Sequence, residues 1–401
     1  MIRFSILLVF ILVLGARDTQ AQAPFNNPNT LITKGKMTYL KGASMVAPDS
    51  SYSFGFKGRM QSLFEAKQSL TDGSFNDDFT SKMMVRRARL KFDGWALDPS
   101  VVYKVELGIS SRDRSISITD AIEFSNADNM ILDMVVKWKF SKTTQIWFGQ
   151  TKLPGNRERI VSSQGLQFVD RSQLNSKFNI DRDFGAFLVN QTNIGNAVIK
   201  EIVSISSGEG RNVTSSGDNG FCYTGKLEFF PFGEFSTKGI FYMADIQREE
   251  TPKLEVSAAY SYNDNARRSQ GQLKSFVPDS SIADLKSVFV DIFFKYKGVS
   301  FMGAYASRAV DNLPVSVENP YYDGDGFNMQ LAYLTKKNVE FAARYTKINP
   351  LGDNSFTDYT FAVSKYFFEN FLKVQTDVSY MNTNNTNTNN LMYRFQVEMA
   401  F

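Results

Sequence analysis

Apolar and polar residues alternate with a period of two along most of this chain. The last eleven residues are the clearest case. Leu391, Tyr393, Phe395, Val397, Met399 and Phe401 occupy every second position, with Met392, Arg394, Gln396, Glu398 and Ala400 between them. That period places one set on each face of a β-strand. The same alternation predicts strands at about 53–65, 82–95, 100–110, 131–141, 144–151, 182–191, 197–206 and 221–231. It continues at about 253–264, 286–297, 299–310, 325–335, 338–348, 356–368, 371–382 and 391–401, sixteen in all. Phe235 to Asp245 also reads as strand-like, and a hairpin with 253–264 would raise the count to eighteen.

Strands of about ten residues, tilted, are long enough to cross a bilayer. After the N-terminal region, no stretch has the run of about 18 apolar residues that a spanning helix needs. A chain that meets lipid through strands must close them, because hydrocarbon cannot satisfy an open sheet edge. Short connections (96–99, 142–143, 192–196, Gly298, 336–337, 369–370) alternate with longer ones, as periplasmic turns and outer loops do in a membrane barrel. The even count puts both ends on the turn side. Ending on Phe401 resembles the terminal signal of bacterial outer-membrane barrels, whereas an isolated strand of this kind also fits the edge of a soluble β-sandwich. The expected fold is all-β: a transmembrane antiparallel up-and-down β-barrel of about sixteen strands (eighteen possible). A long loop after strand five, about 152–180, is expected to fold inward, since loops of that length are uncommon without a role.

The N-terminus changes the domain picture. Arg3, the apolar run Ile6 to Leu14 and the small-x-small Thr19-Gln20-Ala21 fit a secretory signal peptide. The expected organisation is a signal peptide at 1–21, a periplasmic leader at 22–50 and the barrel at 51–401.

Composition narrows the chemistry. The sole cysteine is Cys222 and there is no histidine. Cys/His metal sites and His-dependent triads are therefore excluded. Asp323-Gly324-Asp325-Gly326 could bind Ca²⁺ weakly but reads as a solvated turn. No catalytic residues, metal, cofactor or nucleic-acid partner are expected, and the protein is not read as an enzyme. The net charge is +4, or +3 once the first 21 residues are removed. More telling is where the charges point. A charge on the lipid face at midplane costs about 2–4 kcal/mol, so charges within the strands are expected to face the lumen. That set comprises Lys57, Arg59, Arg87, Arg89, Lys91, Lys104, Lys137, Lys139, Lys295, Arg344, Lys373 and Arg394. Its acids are fewer: Glu65, Asp93, Glu106, Asp133, Asp291, Glu340, Asp377 and Glu398. Excess cation in a low-dielectric pore concentrates anions. The long loop adds Lys152, Arg157, Glu158, Arg159, Asp170, Arg171 and Lys177.

Several blocks carry a family resemblance. Gly149-Gln150-Thr151-Lys152-Leu153-Pro154, Glu158 and Phe168-Val169-Asp170-Arg171-Ser172 resemble the core motif of the phosphate-selective porin O/P family. Val85-Arg86-Arg87-Ala88-Arg89-Leu90-Lys91-Phe92-Asp93-Gly94 resembles its second-strand signature, and Lys57-Gly58-Arg59-Met60-Gln61 its first strand. Arg182-Asp183-Phe184-Gly185, Gly208-Glu209-Gly210-Arg211-Asn212 and Pro231-Phe232-Gly233 resemble later blocks. The resemblance implies a sixteen-stranded, trimeric channel in a Gram-negative-type outer membrane, in contact with lipid and lipopolysaccharide. Inward loops constrict such a channel, and Arg and Lys pass anions such as phosphate. On this chain the implied pore-lining, anion-binding residues are Arg59, Arg87, Arg89 and Lys91 on strands, and Lys152, Arg157, Arg159 and Arg171 near the loop. Arg171-Ser172 also fits a structural role, bonding the loop to the wall. The alternatives are a general porin of weak selectivity, or a non-channel barrel acting as scaffold or adhesin.

Overall fold

A computed structural model describes residues 42–72, 74–114, 129–213, 220–384, 386 and 388–401. The expected signal peptide and most of the expected leader lie outside the described residues. Sixteen strands form the staves: β1 (Ser53–Thr71), β2 (Thr80–Ala96), β3 (Asp98–Gly108), β4 (Ile131–Trp138), β5 (Thr144–Lys152), β6 (Arg182–Ile194), β7 (Ala197–Ser206) and β8 (Cys222–Phe230). They continue as β9 (Lys253–Ala266), β10 (Ala283–Tyr296), β11 (Val299–Asp311), β12 (Gly324–Leu334), β13 (Val339–Pro350), β14 (Phe356–Phe368), β15 (Leu372–Thr383) and β16 (Thr388–Ala400). Each stave pairs antiparallel with its sequence neighbours, and β16 returns to β1 in the register Arg59↔Ala400 to Thr71↔Thr388. Every stave edge is thereby paired, as lipid demands.

Outside the ring lie the small hairpin of Arg268–Gln270 with Leu273–Phe276 in the loop after β9, the strand Ser74–Phe75 in the first loop, and the strand Ala43–Val46 at the turn end. The last pairs with Ser53–Phe56, on the edge of β1 left open where β16 runs out. The gap between them is closed by Phe401, whose N–H and C=O exchange hydrogen bonds with Gly58 at 2.9 and 3.0 Å. A side chain on Gly58 would collide with the Phe401 ring.

Alternation sorts the side chains as period two requires. Along β14, Tyr359 and Phe361 face outward while Thr360, Ala362 and Ser364 face in and are buried. Outward aromatics touch across strands, as in Tyr345–Tyr359 at 5.0 Å and Phe148–Phe184 at 5.3 Å. Such contacts suit the lipid-facing band of a barrel.

The interior is divided. Segment 153–181, the loop after β5, folds inward and carries the short helices Arg157–Ile160 and Gln173–Phe178. Its Leu153, Leu174, Phe178 and Ile180 bury against Phe187, Phe289, Ala304, Ala306 and Ile348 of the wall. Phe168 sits on Ala332, Ala342 and Ala362. Small inward residues on β11–β14 make room for the loop, while inward positions of β1–β5 carry long cations.

The stretch Phe235–Asp245 is not a strand, so the count of eighteen staves does not arise. β8 pairs directly with β9 through Cys222↔Asn263 to Phe229↔Val256, and with β7 on its other edge. No ladder partner is left for a further hairpin. The connection 231–252 instead turns inward from the turn end, with a 3₁₀ helix at Ser236–Phe241. Its Phe235, Ile240 and Met243 pack with Val161 and Leu166 of the inward loop and with Phe230 and Phe293 of the wall. Lys295 donates to the carbonyls of Gly239, Tyr242 and Ala244 at 2.8–2.9 Å, satisfying backbone that lacks a ladder.

Candidate functional site

The two inward segments fill the side of the barrel bounded by β9–β15. Against β1–β8, on the turn-side flank of the folded loop, they leave a cavity of about 1310 Å³. Strands β1 to β4 contribute Lys57, Arg59, Arg89, Lys91, Lys104 and Lys137 to its lining, because these positions share the inward face. Lys139, Lys142 and Lys200 stand nearer the turn end, and Lys152, Arg157 and Arg182 border the loop. Among the described lining residues, twelve are basic and four acidic, the acids being Asp93, Glu106, Asp133 and Glu228. One carboxylate serves several cations. Asp93 lies 3.4 Å from Lys57 and 3.6 Å from Lys91. Asp133 takes Lys104 at 2.7 Å and Arg182 at 3.0 Å. Lys137 rests on the Trp147 ring, 3.4 Å from its centroid. Glu398, Asp113, Glu255, Asp181 and Glu234, outside the lining, pair with Arg59, Arg89, Arg157, Arg182 and Lys200, so the positive excess that faces the vestibule rests mainly on its lysines, in a field focused by low-dielectric walls.

A second population of cations holds the inward segments. Lys373 donates to the carbonyls of Gln164 and Leu166, Arg308 to those of Lys177, Phe178 and Asn179, and Arg344 to that of Asp170. These donors replace the backbone partners that an irregular segment at membrane depth cannot obtain from lipid.

The eight residues singled out by resemblance divide along the same line. Arg59, Arg89, Lys91, Lys152 and Arg157 border the cavity, whereas Arg87, Arg159 and Arg171 clasp the loop. Arg59 donates to Ser163 Oγ at 2.8 Å, and Arg89 is shared by Asp113 and Glu106. Lys152 donates to the carbonyls of Arg159 and Ile160 at 2.8 and 3.0 Å, closing the end of the first short helix. Arg157 is the most enclosed. Its guanidinium pairs with Glu228 and Glu255, and its backbone N–H donates to Asp291 at 2.8 Å. Arg159 pairs with Asp181. Arg171 donates to the carbonyls of Glu158 and Val161 at 2.9 and 2.7 Å, while Ser172 binds the Glu158 carboxylate. Within this set, Arg171-Ser172 bonds the loop to itself rather than to the wall.

Sequence reading missed Arg86. A β-bulge on β2, where Gln61 opposes Arg87 but Ser62 opposes Val85, turns both adjacent arginines inward. They converge on Asp170 at 2.9 and 2.8 Å. Burial pushes the Asp170 carboxyl up, but Arg86 and Arg87 outweigh it and hold the group well below the usual carboxylate range. Two consecutive charges in an alternating strand were the available signal.

Two of the remaining family-like blocks, 182–185 and 208–212, meet in space, whereas Pro231-Phe232-Gly233 lies at the turn end, where the Phe232 carbonyl accepts from Lys253. Asp183 accepts the N–H groups of Gly208 and Gly210 at 2.7 and 3.3 Å and the hydroxyl of Ser207. Gln150 accepts the N–H of Asn212 at 2.7 Å, and Arg211 donates to the carbonyl of Asp113. The blocks thus tie one outer loop to the rim above the inward loop.

Comparison with known proteins follows the same geometry. The sequence pattern of the family described as phosphate-selective porin O and P matches residues 54–276, more than half of the chain. No curated protein sequence matches it significantly. Among solved structures, the anion-selective porin from Comamonas acidovorans superposes with a TM-score of 0.55 at 10% identity, over 87% of this chain and 100% of that one. The outer-membrane channel DcaP of Acinetobacter baumannii gives 0.54 at 10% identity, over 90% and 100%. The trimer form of OmpT from Vibrio cholerae gives 0.52 at 10% identity, over 87% and 99%. At these identities the likeness is one of fold. The closed ring of staves, the apolar outer band and the matched pattern together make this an outer-membrane β-barrel of the Gram-negative type, and the chain belongs to the phosphate-selective porin O and P family.

Proposed function

We propose that the barrel is a passive diffusion channel that prefers anions, with phosphate among its solutes. The observation that carries this reading is the vestibule lining, with twelve basic and four acidic side chains among the described residues. Arg59, Arg89 and Lys91 on the wall, with Lys152 and Arg157 at the loop, act as its anion-attracting set. Arg87, Arg159 and Arg171 act one step back, by setting the loop that narrows the passage. Guanidinium forks suit phosphate because they offer it paired hydrogen bonds. The purified protein in planar bilayers under a KCl gradient is expected to show a reversal potential on the chloride side. Added phosphate is expected to reduce chloride current by competition. A reversal potential on the potassium side rejects the reading.

A barrel that inserts but does not conduct is the second reading, a scaffold in the outer membrane. It is favoured by the two inward segments that fill the lumen beside β9–β15. Insertion without measurable current in the same bilayers would establish it. We propose further that the barrel assembles as a homotrimer among outer-membrane lipid and lipopolysaccharide, which mass measurement of the native detergent complex tests.

A further inference from the structure

The vestibule has two walls of different chemistry. Lys57, Lys91, Lys104 and Lys137 stand on β1–β4, and the neighbouring wall is aromatic. Trp147 lies on β5, and Phe241 and Tyr242 lie on the connection that folds in from the turn end. Trp95, nearer the turn end, also borders the space. Lys137 over the Trp147 ring marks the seam between the walls.

This placement runs against what a barrel ordinarily does with tryptophan, which collects in the lipid-facing girdles. Of the three tryptophans, only Trp138 does so, exposed beside Phe140 on the outer face. The other two border a polar cavity. Phe241 is 45% exposed although its neighbours Ile240 and Met243 are buried in the interior cluster. Open aromatic surface next to convergent charges is the composition of a ligand site, not of a plain electrostatic funnel. A bare inorganic anion gains nothing from it.

We propose that the vestibule binds organic anions that carry an aromatic ring on a phosphate or carboxylate. The ring lies along Phe241 and takes the place of Lys137 on the Trp147 face, and the anionic head faces Lys57, Lys91, Lys104 and the displaced Lys137. This rests on the reading of the vestibule as the solute pathway and adds the solute class. Stacking on an aromatic platform commonly strengthens binding by about tenfold or more.

The test uses the full-length mature protein, in detergent for intrinsic tryptophan fluorescence and in planar bilayers for current block. The probes are phenyl phosphate, methyl phosphate, inorganic phosphate and phenol. Phenyl phosphate is expected to quench fluorescence and block current at concentrations about tenfold below those of methyl or inorganic phosphate. Phenol, lacking the charge, is expected to do neither in that range. Trp147→Leu and Phe241→Ala are each expected to bring phenyl phosphate close to methyl phosphate, with Trp95 still reporting binding in the first variant. Equal half-saturation for phenyl and methyl phosphate in the unaltered protein would overturn the proposal. So would an aryl preference that survives in both variants. The KCl reversal potential, read in the same bilayers, separates the two failures: anion selectivity without an aryl preference leaves the channel reading intact. Fluorescence decides the matter even in a barrel that does not conduct.

Discussion

Gly149 shows how a single residue carries the loop. It has φ of +126°, and a side chain there would collide with the Met134 carbonyl oxygen on β4. The chain passes through this position just before Lys152 turns inward. Gly149→Ala is expected to cost about 1–3 kcal/mol of backbone strain, read as a lower urea midpoint for unfolding of the detergent-solubilised barrel. Asp170 is the second such point. Asp170→Asn leaves Arg86 and Arg87 facing each other without their shared carboxylate. Removing one member of so enclosed a group is expected to cost about 3 kcal/mol and to raise open-channel noise in single-channel records. The pH dependence follows from the depressed carboxyl. A carboxyl held below its unfolded value contributes stability above the ordinary carboxylate range and loses it only as pH falls through the lower folded value. The loop is therefore expected to stay clasped at pH 4, with unchanged conductance. Alternation alone made Arg87 and Arg89 legible as inward residues. It hid Arg86, because a bulge is an extra residue that period two does not encode.

Between elements, the informative case is the connection 231–252. Its alternating apolar residues imitate a strand, but a strand needs an open edge, and β8 and β9 have already paired. Phe235, Ile240 and Met243 then bury as part of an inward-folded segment, hung from Lys295 and joined to the inward loop by the Met243 N–H to Gly165 carbonyl bond at 2.8 Å. Replacing 236–246 with a short Gly-Ser turn is expected to enlarge the passage and at least double single-channel conductance in 1 M KCl. Lys295→Met is expected to produce a smaller rise with flickering, since it unhooks the segment without removing it. The inward turn of the loop after β5 was foreseeable from its length and charge. That it would rest on small residues of β11–β14 was not, since those strands lie well over a hundred residues downstream.

Across the whole molecule, cations divide by position around the ring. Lys57, Lys91, Lys104 and Lys137 on β1–β4 border the cavity, whereas Lys295, Arg308, Arg344 and Lys373 on β10–β15 are spent on backbone carbonyls. On the channel reading proposed above, the cations that border the cavity act on solutes, so selectivity is expected to be electrostatic and screenable. The chloride-to-potassium permeability ratio is expected to fall several-fold between 0.1 and 1 M KCl, as the Debye length shortens from about 10 to about 3 Å. Lys57→Glu with Lys91→Glu is expected to lower the ratio at 0.1 M salt, whereas Lys373→Met lowers stability instead. Period two, strand length and the alternation of short and long connections determined the sixteen staves, their order and the inward face of nearly every charge. These properties are local or follow from the need to close a sheet in lipid. Which cations stay open to water and which are consumed was decided only by tertiary structure. It depends on where two irregular segments come to rest inside the cylinder, and that is settled by packing between residues far apart in the chain.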